Sequence, residues 1–198
     1  MTTTQIIEVV KKHIIDLADE NNYRWFYDLH QKEVAKSAEE LLVYYPDANK
    51  EVVMLACWLH DIIHYTAKTS EEIIAVKKLH HINGAIETKK ILDNIGLDEE
   101  TTEKVMRCIE RHRNSEGYKP ETIEEKIVAA ADTYSHFRSI FYLTYFKFHP
   151  EDSIERMVQI DLEKLERDWR DLQIIPEAAK MAENRYFMLK EMLNNYNN

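Results

Sequence analysis

The sequence is poor in residues that interrupt helices. Among 198 residues there are only three glycines and four prolines. Sheets and tight turns need such residues more often than long helices do, so an all-helical chain is predicted. The length suits one domain, either alone or with a helical extension, and it is sufficient to bury a sizeable core.

Cysteine and long apolar segments are also scarce. Cys57 and Cys108 lie in apolar helical patterns without paired spacing, which predicts buried free thiols and disfavours a disulfide framework or a structural zinc site. The N-terminal segment lacks the basic region and apolar core of a secretion signal. No stretch approaches the roughly 18 apolar residues of a membrane helix. We therefore expect a cytoplasmic protein without a membrane partner.

Positive charge is in deficit. The chain has 26 Lys and Arg residues against 36 Asp and Glu residues, which gives a formal net charge of −10. Proteins that bind duplex nucleic acid rely on a basic face, so no such partner is expected. A small anionic substrate remains compatible, because a metal ion and a few local Lys or Arg side chains can offset the overall field.

Apolar positions at steps of three and four predict a series of amphipathic helices. The first ends at Asn21–Asn22, and the second runs from about Tyr23 to Tyr45. A third begins near Asn49 and continues through the segment HDIIH; it is apolar nearly all round, so it is predicted to be the buried central helix. Further along, Pro150 is expected to open a helix that Pro176 interrupts.

The strongest local feature is the doublet His60–Asp61 within VVMLACWLHDIIH. A carboxylate is costly to bury without a partner, and a neighbouring histidine adds to the cost. A divalent cation bound by both groups would remove it. Because adjacent helix residues point about 100° apart, the ion would lie over the helix edge between them. The alternative is a His–Asp pair that hydrogen-bonds to other helices.

Two further residues share this character. His30 lies in the apolar stripe of the second helix, and Asp132 follows three alanines in the segment IVAAADTYSHF. Small residues allow helices to approach closely, and an Asp in such surroundings again needs compensation. Taken singly, His30 is interpreted as a core histidine and Asp132 as a group that hydrogen-bonds between packed helices.

Taken together, His30, His60–Asp61 and Asp132 resemble the pattern of the HD superfamily of metal-dependent phosphohydrolases. The resemblance covers about residues 25–138 and includes the segment GAIETKKIL. It implies an all-α HD-domain helical bundle whose buried central helix carries the doublet. It also implies one domain over 1–198, with a core of about 23–138 and additional C-terminal helices over 139–198. These four side chains would hold a divalent metal: Mn, Fe, Co, Ni or Zn, with Mg also compatible.

Many relatives add two histidines that complete a second metal site. The candidates here are His80 or His81, followed by His112. The spacing to Gly84, a predicted close-packing point, favours His80, whereas the apolar face of the helix favours His81, so both stay open. His112 lies in an apolar stripe and is otherwise a core histidine. One or two ions per chain are therefore expected.

The resemblance also suggests catalytic residues. His64 lies four residues after His60, on the same predicted helix face, where relatives often place a polar residue that contacts phosphate or moves a proton. Asp61 and His64 are the catalytic candidates. Basic side chains that could contact phosphate oxygens are Lys68, Arg111 and Arg113. Exposed basic residues on helices are more often simply solvated.

The activity implied by the resemblance is metal-assisted hydrolysis of a phosphate ester. Nucleotides are the commonest substrates among relatives, so a nucleotide is the expected partner, with a homodimer as a further expectation. The alternative is a regulatory HD module that binds metal or nucleotide without catalysis. A zinc peptidase is disfavoured, since HDIIH replaces the Glu of H-E-x-x-H with a shorter Asp. A ferritin-like bundle needs Glu-x-x-His pairs, which the chain lacks.

Overall fold

The computed structural model describes residues 1–66, 70–114, 117–148 and 151–196, and every regular element within these ranges is a helix. The α-helices are α1 Thr3–Glu20, α2 Arg24–Phe26, α3 Lys32–Leu42, α4 Lys50–Leu59, α5 Ser70–Ile95, α6 Glu99–Arg111, α7 Ile123–Arg138, α8 Thr144–Phe148, α9 Ile154–Leu172 and α10 Pro176–Asn195. A π-helical turn, Tyr27–Gln31, joins α2 to α3, and 3₁₀ turns occupy Ile62–Thr66 and Phe141–Leu143. The predicted all-helical fold is confirmed.

Helix α4 is the centre of the bundle. The side chain of Asn49 caps its first turn by accepting hydrogen bonds from the backbone N–H groups of Glu51 and Val52. Every residue from Val52 to Leu59 is buried, because α1, α3, α6 and α7 pack around this helix. The prediction of a buried central helix is therefore confirmed.

The end of α4 differs from the prediction. The helix stops at Leu59, His60 is its C-cap, and the chain continues into the 3₁₀ turn. There the N–H of His64 bonds to the carbonyl of Asp61 at 2.9 Å, a tighter pattern than that of an α-helix. The expectation that HDIIH continues one α-helix, with His60 and His64 on the same face, is thus wrong.

The second predicted helix is also irregular. From Arg24 to Leu42 the chain is helical, but the π-helical turn inserts one extra residue per turn. As a result both His30 and Gln31 are buried, with 2% and 0% of their surface exposed. The helix ends at Leu42 rather than Tyr45, because the next N–H groups, of Tyr44 and Tyr45, bond three residues back in tighter turns before Pro46.

Gly84 marks the closest approach between α5 and the end of α4. A Cβ atom at Gly84 would lie 3.1 Å from the backbone carbonyl oxygen of His60. A larger residue would push the two segments apart, so the predicted close-packing role is confirmed. Helix α5 is bent at Leu79, whose φ of −127° and ψ of 19° are not helical.

The C-terminal helices pack on α7. The side chain of Arg185 on α10 donates to the carbonyl oxygen of Phe137 at 2.6 Å, and α9 also contacts α7. Pro150 lies outside the described residues, and α9 begins instead at Ile154 with Ser153 as its N-cap, so the predicted start is wrong. Pro176 begins α10, where its missing N–H costs nothing. The division into core and extension stays a prediction.

Two further predictions concern the cysteines and membrane-spanning helices. Cys57 and Cys108 are buried and free, as predicted. None of the helices in the described ranges combines the length and the apolar character needed to cross a membrane.

Candidate metal centre

Four side chains from separate parts of the chain meet beside the end of α4. The Nε2 atom of His30 lies 3.2 Å from Nε2 of His60 and 3.3 Å from carboxylate oxygens of both Asp61 and Asp132. The distances from Nε2 of His60 to the same two oxygens are 3.5 and 3.7 Å. The π-helical turn, the end of α4 and α7 thus bring together the four residues that the sequence predicts as ligands. Their role as ligands stays a prediction.

Hydrogen bonds on the outer side of each ring determine which nitrogen faces the cluster. Nδ1 of His60 donates to the carbonyl oxygen of Cys57 at 3.0 Å. Nδ1 of His30 donates to the hydroxyl of Ser135 at 3.0 Å, since that hydroxyl gives its own proton to the carbonyl of Asp132. In the neutral rings both Nε2 atoms therefore carry lone pairs that face each other and two carboxylates. Such an arrangement needs a positive charge at its centre.

Without a metal ion, a proton on His60 supplies this positive charge. Burial acts to lower the pKa of His60, but the charges of Asp61 and Asp132 outweigh it and raise this pKa to about 9. Burial acts in the opposite direction on Asp61, yet the neighbouring His60 and His64 hold the pKa of its carboxyl well below the usual value. The pKa of Asp132 is likewise lowered, chiefly by its hydrogen bond with His60 against the effect of burial. The carboxylates thus remain charged and available to a cation.

The donor set fits a divalent metal. Within the described residues, Oδ1 of Asp61 is buried without a hydrogen-bond partner, which is costly unless an ion contacts it. Ligand atoms of His30, His60 and Asp61 lie within 4.8 Å of one another, as do those of His60, His112 and Asp132. Imidazole with carboxylate suits Mn, Fe, Co, Ni or Zn better than it suits Mg.

A second group of donors surrounds Oδ1 of Asp61. Nε2 atoms of His80, His64 and His112 lie 3.5, 3.6 and 3.9 Å from this oxygen. Nε2 of His112 is also 3.1 Å from Nε2 of His80, while its Nδ1 donates to the carbonyl of Ile109. Burial lowers the pKa of His112 to about 3 and that of His64 to about 4, so both rings are neutral and can act as ligands.

The structure places His80, not His81, beside this group. His81 is buried, but its ring packs edge to face with that of Tyr118, with ring centroids 5.0 Å apart. Its Nδ1 has no hydrogen-bond partner in the described part of the chain. The cluster lies near the point where Gly84 of α5 approaches the carbonyl oxygen of His60. The spacing to Gly84 therefore indicated His80, which the structure places at this cluster. The apolar face of the helix indicated His81, which lies beside Tyr118.

Of the three basic residues predicted to contact phosphate, the structure describes Arg111 and Arg113. Arg111 donates to the carbonyl of Lys119 and pairs with Glu121 and Glu125, at 3.0 and 3.8 Å, so its charge is already matched by carboxylates. Arg113 donates to the carbonyl of Lys78 on α5 at 3.3 Å. This geometry does not support a phosphate contact by Arg111. Lys68 lies outside the described residues.

His136 is a further residue of the cluster that was not predicted from the sequence. Its ring stacks on His30 with centroids 5.2 Å apart, and its Nε2 lies 3.8 Å from Oδ1 of Asp132. Its Nδ1 is 3.0 Å from Asp168, a residue of α9. The sequence signal was the spacing of Asp132 and His136, four residues apart on one helix. The contact with α9 carried no such signal.

One side of the cluster is covered by aromatic rings, whereas three of its side chains keep limited contact with solvent. Phe26 packs against His30 and His64, with ring centroids 5.0 and 5.7 Å away, and Phe141 stacks on His136 at 4.3 Å. The side chains of the cluster with the largest exposed fractions are Asp132 at 16%, His64 at 15% and His80 at 12%. Solvent therefore reaches the cluster at these three residues.

A helical bundle with a histidine–carboxylate cluster at the end of its central helix is the arrangement of an α-helical protein that could hold a metal ion. The family model described as "HD domain" matches residues 27–136, which is more than half of the chain and contains the whole cluster. The chain belongs to the HD-domain family, consistent with the superfamily of metal-dependent phosphohydrolases. No curated protein and no solved structure matches it.

Proposed function

We propose that this protein is a metal-dependent phosphohydrolase that acts on a nucleotide or a related phosphate ester. The observation that carries the proposal is the convergence of two imidazole Nε2 atoms and two carboxylates, from His30, His60, Asp61 and Asp132, within 3.7 Å of one another as measured from the two rings. Membership of the HD-domain family supports the reaction class.

Each residue of the cluster has a part in this proposal. His30, His60, Asp61 and Asp132 hold the ion. When bound, a divalent ion supplies Lewis acidity to a phosphoryl oxygen and lowers the pKa of a water molecule that can attack phosphorus. His64, whose side chain is 15% exposed, holds or passes a proton at Nε2, and Asp61 keeps that imidazole in place at 3.6 Å.

The donors around Oδ1 of Asp61 extend the proposal to a second ion. His80 and His112 present Nε2 atoms to this oxygen at 3.5 and 3.9 Å, and they would hold the second ion together with Asp61. Neutral imidazoles and a shared carboxylate favour the same transition metals as the first position. Two ions would offset the charge of a phosphate in a chain whose net charge is −10.

The experiment combines metal analysis with a phosphate-release screen over nucleotides, with Mn²⁺, Co²⁺, Ni²⁺, Zn²⁺ or Mg²⁺ added. We expect bound transition metal and turnover in the wild-type protein. His60→Asn and Asp61→Asn should lose metal and at least about 100-fold in rate, because each removes a buried ligand. His81→Asn, which changes a buried histidine turned toward Tyr118, is the matched control and should keep both.

Two outcomes would contradict the proposal. Full metal content and full activity in Asp61→Asn would remove the cluster from the mechanism. Saturable nucleotide binding without turnover, with every metal supplied, would replace the hydrolase by a regulatory module that uses the same site.

A further inference from the structure

His136 belongs to a second buried network that joins α7 to α9. Its Nδ1 lies 3.0 Å from Oδ2 of Asp168, and the same oxygen accepts hydrogen bonds from Tyr142 at 2.9 Å and from Lys164 at 2.7 Å. His136, Lys164 and Asp168 are each more than nine-tenths buried. Three donors on one oxygen keep Asp168 ionised and fixed in orientation.

This network determines the tautomer of His136. Nδ1 is also 3.2 Å from Nζ of Lys164, but a carboxylate only accepts hydrogen bonds, so Nδ1 must carry a proton to face Asp168. Nε2 of the neutral ring then carries the lone pair.

The lone pair on Nε2 faces the metal centre. Nε2 is 3.8 Å from Oδ1 of Asp132, and the ligand atoms of His30, Asp132 and His136 lie within 4.8 Å of one another. A lone pair turned toward a carboxylate is unfavourable unless a cation lies between them. Proteins commonly orient a metal-binding histidine by a hydrogen bond from its other nitrogen to a carboxylate.

We propose that His136 is a further ligand of a divalent cation held between His30 and Asp132, and that Asp168 is the residue that positions it. This inference rests on the proposed function in so far as both need a metal at the cluster. It adds a donor beside His30 and Asp132, in a different group of potential ligands from Asp61, His64 and His80. It also gives α9 a part in the site.

The test is the affinity of the metal-free protein for Mn²⁺ and Zn²⁺, measured by isothermal titration calorimetry, together with the visible spectrum of the Co²⁺ form. His136→Asn should weaken metal binding by about 10- to 100-fold, and Asp168→Asn should weaken it about tenfold because the positioning charge is lost. His136→Asn should also change the cobalt spectrum, since the number of nitrogen ligands falls.

Matched variants separate ligation from folding. Tyr186→Phe removes a tyrosine hydroxyl that bonds to Glu166 of α9 outside this network, so its metal affinity should stay within about twofold of the wild type. His81→Asn should leave the cobalt spectrum unchanged. The double variant Lys164→Met/Asp168→Leu removes the buried ion pair as a unit, which preserves a neutral interior, and it should still lose metal affinity. If His136→Asn does not fold, His136→Gln replaces it in the same metal-binding measurements.

The outcomes distinguish this inference from the proposed function. If His136→Asn and His136→Gln bind Mn²⁺ and Zn²⁺ as tightly as the wild type, with an unchanged cobalt spectrum, His136 is not a ligand. The proposed function would stand in that case, provided that Asp61→Asn loses its metal. If the wild-type protein binds none of these ions, both are wrong.

Discussion

Among single residues, Asp161 presents the clearest unbalanced charge in the interior. It lies on α9, it is fully buried, and neither carboxylate oxygen has a hydrogen-bond partner among the residues described. Burial raises the pKa of its carboxyl to about 7, although the charge of Lys164 opposes the shift. The ionised form of Asp161 therefore opposes folding.

This charge predicts a pH-dependent stability. The unfolded chain ionises Asp161 near its ordinary pKa of 3.8 and the folded chain only near about 7, so the free energy of unfolding falls as the pH rises through that interval. Asp161→Asn mimics the neutral acid, and we expect it to stabilise the protein by about 1–2 kcal/mol at about pH 8 and hardly at all at about pH 4. Urea denaturation at both pH values measures the difference.

The exposed Asp152 provides the comparison for this measurement, since Asp152→Asn removes one negative charge without changing the interior. Equal stability of Asp161→Asn and the wild type at the higher pH would show that the carboxyl of Asp161 is not held in a neutral form.

At the same scale, sequence could identify only some of the site. His30, Asp61 and Asp132 stand out because each is a polar group in an apolar segment, which is expensive without a partner. Position in an apolar stripe is not enough, however. His13 lies in an equally apolar stripe of α1, yet it belongs to none of the donor groups found in the described residues. His136 was missed because the group that orients it, Asp168, is on another helix.

At the scale of elements, two irregular turns carry site residues. His30 lies in the π-helical turn after α2, and His64 lies in the 3₁₀ turn after α4. Apolar periodicity predicted helix through both, and it cannot separate 3₁₀, α and π turns over five residues. The order of helices was therefore predictable from the sequence. The orientation of His64 relative to His60 was not.

The contact between α5 and the end of α4 can be tested at Gly84. In Gly84→Ala, the new Cβ would lie 3.1 Å from the carbonyl of His60, so one segment must shift by a few tenths of an ångström. A shift of His60 should weaken metal binding about 3- to 10-fold, whereas the thermal midpoint changes little because Ala favours a helix by about 1 kcal/mol. Calorimetric titration with Mn²⁺ and thermal denaturation measure the two effects.

Ile86→Ala, at an exposed position of the same helix, should alter neither property. If Gly84→Ala binds Mn²⁺ as tightly as the wild type, the close approach does not control the position of His60.

At the scale of the whole molecule, the C-terminal helices complete the environment of the site. Helix α7 supplies Asp132 and His136, and it is held from the other side by Asp168 of α9 and Arg185 of α10. The sequence predicted packing helices after about residue 139. It could not predict that they contact a residue of the cluster, because contacts between distant helices leave no periodic pattern in the chain.

The same architecture predicts how strongly the fold depends on a bound ion. The donors come from the π-helical turn, the end of α4 and α7, so they converge only in the folded chain, and an ion that binds there stabilises the native state alone. At 100 times its Kd, such an ion adds about 2.7 kcal/mol. For a chain of this size that amounts to about 5–10 °C in the thermal midpoint.

Thermal denaturation after EDTA treatment, with Mn²⁺ or Zn²⁺ then restored, measures the shift. The Asp61→Asn variant should show no metal-dependent shift of the midpoint, because it lacks one of the ligands. An equal midpoint with and without metal in the wild-type protein would mean that the cluster is held together by protons alone.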